Sequence, residues 1–486
     1  MNHNKTIIFP ILAFLVPLTV RLIPELLMGP FATGFDTISY YTPNTLLWLN
    51  HGVNFWALIS EAPLMYLFLM GAVSAGAPIV LLFKVLSPLL LGLLGLTVYF
   101  YANKTLSWSQ RKSLLATGFA TIYFVALRIS WDMLRTEVGL IFLFIGLIFL
   151  AKKPTLKNTA LFSTAMLLVV LSHQLIAIIM FAIILATILQ ATRKKTLGTI
   201  KHLFACVAPA VGLFVVIMYS YSAGGRSILR SFPNQISGGD AALLGFSSQA
   251  DLILNTLAFV TVCFLPLLPL LIFGAKRFKN NFQMKSWILW IFLALLLAFI
   301  SPNASFAVYP YRWVLLLTYP LAFFAVEGFC AIKNRYKLIL AVILAVLSIG
   351  FAVLPNSGAI SYFTAYPSYI PNSMLQNTIQ LSDCQDTQNA LQWTKSNMTA
   401  DSHLLVHDAF YGWALLNFDD ARLINYDFEY PDAAAAEAVD NGWQSLYLIW
   451  WVNGSGWYGQ PVVSGNFSQV YCSGNVAIYL YKLQNS

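Results

Sequence analysis

An aspartate, Asp36, stands in the segment GFDTISYY directly after the first long apolar run of the chain. A carboxylate beside lipid costs several kcal/mol unless water, a cation or a reaction needs it there. Two further acids, Asp132 and Glu137, lie in WDMLRTE (131–137), interleaved with Arg128 and Arg135. Arg312 stands in YPYRW (309–313), Lys84 six residues inside an apolar run, and His173 in LSHQL. These types suit group transfer from a phosphate. A carboxylate can take the proton of an attacking hydroxyl, and an arginine fork can pair bidentately with phosphate oxygens.

Each residue also has a plainer reading. Asp36 before Thr-Ile-Ser suits a helix N-cap. Asp132 and Glu137 can hold a divalent cation (Mg or Mn) or sugar hydroxyls, or can pair with Arg128 and Arg135, the first at i,i+4 on one helix face. His173 can bind sugar or phosphate or cap a turn. Lys84 and Arg135 can hold phosphate or serve as anchors. Arg21 and Glu25, four apart, read as an internal helix pair, and Glu327 near Lys333 as structural.

These residues must be positioned by membrane helices. The chain has 486 residues, of which 58% are hydrophobic and only 10% charged. Its repeated apolar runs approach the ~20 residues that cross ~30 Å of hydrocarbon. Charge is unevenly placed: to Leu354 there are 25 Lys+Arg and 8 Asp+Glu, afterwards 3 and 11. A net +17 body and a −8 tail exclude a uniformly basic nucleic-acid surface. The basic clusters at 104–112, 152–157, 193–201, 276–285 and 333–337 contain no acid, and the positive-inside bias makes them cytoplasmic.

Parity then gives eleven spans, near 7–28, 79–102, 113–128, 138–151, 159–172, 175–192, 202–222, 252–274, 287–300, 313–332 and 338–354. The N-terminus is expected inside and the tail outside. The first run lacks a small-residue cleavage pattern and reads as an uncleaved span. The stretch before 79, with Trp48, Trp56 and Glu61, is expected as helices along the outer interface.

The acids and Arg312 fall on the outer side. Glu137 is 15 residues from Lys152, roughly 23 Å of helix, slightly short of a full crossing. The expectation is an outward-facing cavity with a sunken floor. The loop 224–251, with paired glycines, Arg226, Arg230 and Asp240, is long enough either to order over substrate or to be a plain connector.

From about Pro355 the pattern turns polar and alternating. Helices are expected at 389–396, 411–416 and 431–439, strands at 403–407, 422–426 and 446–452, and a hairpin over 467–483, a small α/β layer. Sequons at Asn303, Asn397, Asn453 and Asn466 lie on the expected outer side. Of five cysteines, Cys384 and Cys472 lie in this tail and are candidates for one disulfide.

An acid in the first outer loop, a second acid cluster in the next and a soluble tail after many spans resemble the GT-C membrane glycosyltransferases. That family includes oligosaccharyltransferase catalytic subunits, protein O-mannosyltransferases and the aminoarabinose transferases of lipid A. The motifs that carry the resemblance are GFD (34–36), WDMLRTE (131–137) and YPYRW (309–313).

The resemblance implies an α-helical polytopic protein of about eleven spans (1–354) with a small extracytoplasmic α/β domain (355–486). It implies Asp36 as base or acceptor-orienting group, Asp132 as the second-loop acid and Arg312 on the carrier phosphate. HDAFYGW (407–413) falls where oligosaccharyltransferases carry WWDYG, without its tryptophan pair and with the aspartate shifted.

The expected activity is transfer of a sugar, with inversion, from a polyprenyl-phosphate or diphosphate carrier to a lipid, glycan or protein acceptor on the outer face of the cell membrane. A transporter or flippase for a lipid-linked sugar, an oligosaccharyltransferase-like protein and an accessory subunit are the alternatives. No internal repeat supports a transporter.

Overall fold

A computed structural model describes residues 3–223, 235–236, 249–278, 281–300, 310–355, 370–426, 431–443, 445–453 and 463–481. The chain opens with α1 (His3–Leu27), whose three prolines are tolerated inside a helix bundle, where neighbours satisfy the freed carbonyls. A π-turn, Thr37–Tyr41, then leads into three short helices: α2 (Thr42–His51), α3 (Phe55–Ser60) and α4 (Leu64–Ser74). The stretch before residue 79 is thus helical. Phe55 and Trp56 on α3 are 62% and 53% exposed, as side chains at a lipid boundary would be.

The bundle continues with α5 (Ile79–Phe100), α6 (Gln110–Thr121), α7 (Phe124–Asp132), α8 (Leu134–Leu150), α9 (Leu156–Ser172), α10 (Gln174–Arg193) and α11 (Leu197–Ala223). It is completed by α12 (Gln249–Phe264), α13 (Leu268–Arg277), α14 (Phe282–Ile300), α15 (Pro310–Leu316), α16 (Thr318–Ala331) and α17 (Asn334–Val353). Each of the eleven predicted segments falls on helix, the 113–128 segment broken between α6 and α7. Among the described residues eight helical stretches are long and apolar enough to cross a membrane, and α6–α7, bent by 59°, makes a ninth if the pair is one span. Helices α8 and α9 have 17 residues each.

Small residues set the closest crossings. A Cβ on Gly274 of α13 would overlap the Phe324 carbonyl of α16, and one on Gly328 the Leu270 carbonyl. Close backbone approach of this kind gives membrane helices their packing attraction. One expectation fails here. Residues 128–137 are no outer loop: α7 runs through Asp132 and α8 begins at Leu134, so only Met133 interrupts the helices. The polar residues had signalled a loop, yet Arg128, Asp132 and Glu137 are buried in the protein.

The tail holds α18 (Leu381–Asn397), α19 (Asp408–Leu415) and α20 (Pro431–Asp440), with strands β2 (His403–His407), β3 (Leu423–Tyr426), β4 (Leu446–Trp451), β5 (Phe467–Ser473) and β6 (Val476–Tyr481). The sheet order is β1-β3-β2-β4-β6-β5, where β1 is Gln235–Ile236, a backbone pairing contributed from the long connection after α11. Parallel neighbours at β3-β2-β4 follow from the helices between them, and the β5–β6 hairpin adds antiparallel edges. Helix α18 starts eight residues earlier than expected. Cys384, Thr387, Leu391 and Thr394 form a buried stripe at helical spacing that its polar composition conceals.

The tail's apolar core does not stop at the tail. Met28, Ile38 and Leu47, around the first interhelical loop, are buried in the same cluster as Leu405, Phe410 and Trp450. The loop that carries Asp36 is therefore packed between bundle and tail.

Candidate functional site

The Asp36 loop is fixed first by a buried polar anchor. Arg21 and Glu25 of α1 pair at 2.8 Å and are 0% and 1% exposed. The Thr33 hydroxyl donates to Glu25 Oε1 at 2.6 Å and accepts from Arg21 Nη2 at 2.7 Å. Arg21 Nε donates to the Ser130 carbonyl of α7 at 3.1 Å. Lys84 of α5 donates to the carbonyls of Glu25 and Phe31, the latter at 2.9 Å. One network thus ties α1, α5, the loop and α7 together. A buried ion pair stabilises little by itself, but losing one partner costs ~3–5 kcal/mol.

Past the anchor the loop turns at Gly34, whose φ of +97° suits glycine. A Cβ there would overlap the Trp131 carbonyl and come within 3.2 Å of Asp132 Cα. The glycine of GFD therefore lets the loop lie directly against the end of α7. Gln376, early in the tail, closes this junction: its carbonyl accepts from Gly34 N at 3.1 Å and from Trp131 Nε1 at 3.0 Å. Asn377 donates to the Ala32 carbonyl at 3.0 Å. On the other side α19 presses on the π-turn, where Gly412 meets the Ile38 backbone and Trp413 packs 5.3 Å from Phe31.

Asp36 emerges from this clamp half-buried, and its side chain makes no N-cap hydrogen bond. Arg312, Arg128 and Arg135 act on its carboxylate. Burial pushes the Asp36 carboxyl above its ordinary range, and the pull of the three guanidinium groups does not fully offset it. Asp132 also belongs to this cluster, paired with Arg128 at 2.5 Å and acted on by Asp36 across the loop contact.

Arg135 pairs with Glu61 at 2.8 Å, reaches Gln174 at 3.4 Å and lies 5.5 Å over the Tyr66 ring. Arg312 Nε donates to the Tyr311 hydroxyl at 3.2 Å. His173 Nδ1 accepts from Leu175 N at 3.1 Å, so its ring caps α10, and Arg135 and Arg312 act on it.

The structure thus brings Asp36, Asp132, Arg135, Arg312 and His173 into one electrostatic cluster. Lys84 and Glu137 stand apart from it. Lys84 is engaged in the anchor, and Glu137 is 0% exposed, with Arg21 acting on it.

The disulfide expected between Cys384 and Cys472 is not formed. Cys384 is a buried thiol on α18 donating to Gln380 O at 3.3 Å, while Cys472 is exposed on edge strand β5. Arg226, Arg230, Asp240 and Asn303 lie outside the described residues. Sequence reasoning missed Glu61 as the partner of Arg135 and Gln376 as the closing residue. Neither lies in a motif, and only a fold brings them in.

Among the described residues no three of His, Cys, Asp and Glu gather in a metal-binding group. Asp36 and Asp132 are two carboxylates, one already paired with Arg128.

No protein-family model matches the chain, and no curated protein matches it. Solved structures do. ArnT from Cupriavidus metallidurans in the apo state aligns over 98% of this chain and 98% of its own, at 13% identity and a TM-score of 0.57. The same protein bound to undecaprenyl phosphate aligns over 99% and 98%, at 13% identity and a TM-score of 0.49. The Archaeoglobus fulgidus oligosaccharyltransferase in complex with Zn and sulfate aligns over 90% of this chain and 67% of its own, at 13% identity and a TM-score of 0.50. At this identity the likeness establishes the fold.

Proposed function

We propose, from a chain that carries the GT-C fold of these two neighbours, that it is a membrane glycosyltransferase. It moves a sugar from a polyprenyl-phosphate or diphosphate carrier to an acceptor on the outer face, with the N-terminus cytoplasmic and residues 355–486 forming an outer domain. The observation that carries this reading is one carboxylate, Asp36, set among three guanidinium groups on a loop clamped from both sides.

In this reading Asp36 accepts the proton of the acceptor hydroxyl as its oxygen bonds to the anomeric carbon. The bond from that carbon to the carrier's phosphate oxygen breaks, and the phosphate leaves with the electron pair. Arg312 and Arg135 hold the charge that develops on it, which suits planar forks better than a point charge. Asp132 keeps Arg128 oriented and adds negative charge beside Asp36. The second carboxylate of the cluster among the described residues, Asp132, is held by Arg128, which supports inversion. No third acid joins Asp36 and Asp132 among the described residues, and no step is routed through a divalent cation.

His407 caps α19 and Asp408 accepts from Asn425 at 2.9 Å. The HDAFYGW segment thereby serves the packing of tail on loop, which gives no support to sequon reading.

The test uses purified protein in nanodiscs with undecaprenyl-phosphate sugars as donors. Asp36→Asn should abolish most turnover, ~10²–10⁴-fold, while undecaprenyl phosphate still binds. Wild-type turnover in that variant removes Asp36 as the base. Loss of carrier binding as well would make it a structural residue.

A further inference from the structure

Glu137 is the buried charge that the proposed reaction leaves unused. It sits in the first turn of α8 at 0% exposure, and neither carboxylate oxygen has a protein hydrogen-bond partner. Two other unspent groups lie beside it. Arg21 Nη1 faces Glu25 at 2.8 Å but makes no aligned hydrogen bond, and Arg21 is the charge that acts on Glu137. The Tyr319 hydroxyl of α16 is buried and unpartnered, and the Glu137 charge acts on it. An orphaned buried polar group is costly, and groups of this kind are commonly met by an internal water bonded to several of them.

The charges point the same way. Arg21, Lys84 and Glu25 sum to one excess positive charge in the anchor, and Glu137 is the acid on which Arg21 acts and which, when ionised, offsets it. Within a membrane protein an uncompensated buried charge is strongly destabilising. Arg21 in turn holds Ser130 O, two residues before Asp132, and Thr33, three before Asp36.

We propose that Glu137 is a positioning residue for the Asp36 loop, linked through enclosed water to Arg21 Nη1 on one side and the Tyr319 hydroxyl on the other. The water accepts from Arg21 and Tyr319 and donates to the carboxylate. Glu137 thereby fixes the guanidinium that sets the spacing of Asp36 from Asp132. The proposal depends on the glycosyltransferase reading only for its effect on turnover.

Hydrogen–deuterium exchange on the full chain in nanodiscs tests it without a substrate. Glu137→Leu should speed exchange in peptides covering 30–40 and 126–133 by tenfold or more, leaving α10 and α14 unchanged. Glu137→Gln, which keeps hydrogen bonds but loses the counter-charge, should show a smaller rise, and Tyr319→Phe a smaller one still. Faster exchange confined to α8, or Gln and Leu variants alike, overturns the link. Should the Leu variant not accumulate folded, Gln carries the test: threefold faster exchange over 30–40 supports the proposal, and wild-type exchange there overturns it. Turnover is read in parallel, with kcat expected to fall and KM for the donor to hold. Loosened exchange with full turnover would leave the link standing and sink Asp36 as base.

Discussion

Placing a methyl group at Gly412 should disable the site from a distance. A Cβ there would lie 2.8 Å from the carbonyl carbon and 2.9 Å from Cγ2 of Ile38, two residues beyond Asp36. Carbon pairs settle at ~3.5–4.0 Å, so Gly412→Ala forces α19 and the π-turn apart by about 1 Å. The obstacle is backbone and cannot turn aside as a side-chain tip would. Overpacking of this kind costs ~1–3 kcal/mol. A displacement near 1 Å at a reacting group lowers rates ~10²-fold.

The assay compares thermal unfolding and donor turnover of Gly412→Ala with those of Gly118→Ala. Gly118 lies in α6 with nothing within 4 Å of its would-be Cβ, so that variant should be neutral or slightly stabilised. Wild-type turnover in Gly412→Ala would refute the claim that the tail sets the position of Asp36.

Further outcomes follow from the same geometry. Arg312 is the strongest of the charges holding the Asp36 carboxyl down against burial. Arg312→Gln should therefore move the acid limb of the pH–rate profile to higher pH, and an unmoved limb would separate the two residues. Burial holds His407 down at about 3. An unfolded chain binds a proton there near 6.5, so stability is complete above pH 6.5 and is lost between 6.5 and 3, by several kcal/mol; His407→Asn, followed by tail unfolding against pH, should flatten that slope. A maleimide should label Cys472 and leave Cys384 unreacted until denaturation, because burial pushes the Cys384 thiol up to about 12. Labelling of both in the native protein would contradict the packing of α18.

What the sequence disclosed tracks the range of the forces involved. Apolar runs and alternation are local, so tail strands such as His403–His407 were legible to within a residue or two, and the apolar helices in place though not in their exact ends. Asp36 and Arg312 were legible because a charge beside lipid demands a reason. The WDMLRTE segment was misread because polar residues suggest a loop, while a bundle can bury them as helix when Arg128 answers Asp132. Glu61, Gln376 and the separation of Cys384 from Cys472 were hidden, since their meaning depends on contacts between residues far apart in the chain.

Because Met28, Ile38 and Leu47 belong to the apolar interior of the carboxy-terminal portion, that portion is no detachable module. Cutting the chain near residue 355 would lay those three side chains bare and strip one wall from the aspartate's seat. Anyone wishing to graft another carboxy-terminal region onto this scaffold would have to transplant roughly residues 28–51 with it, as a matched pair of surfaces.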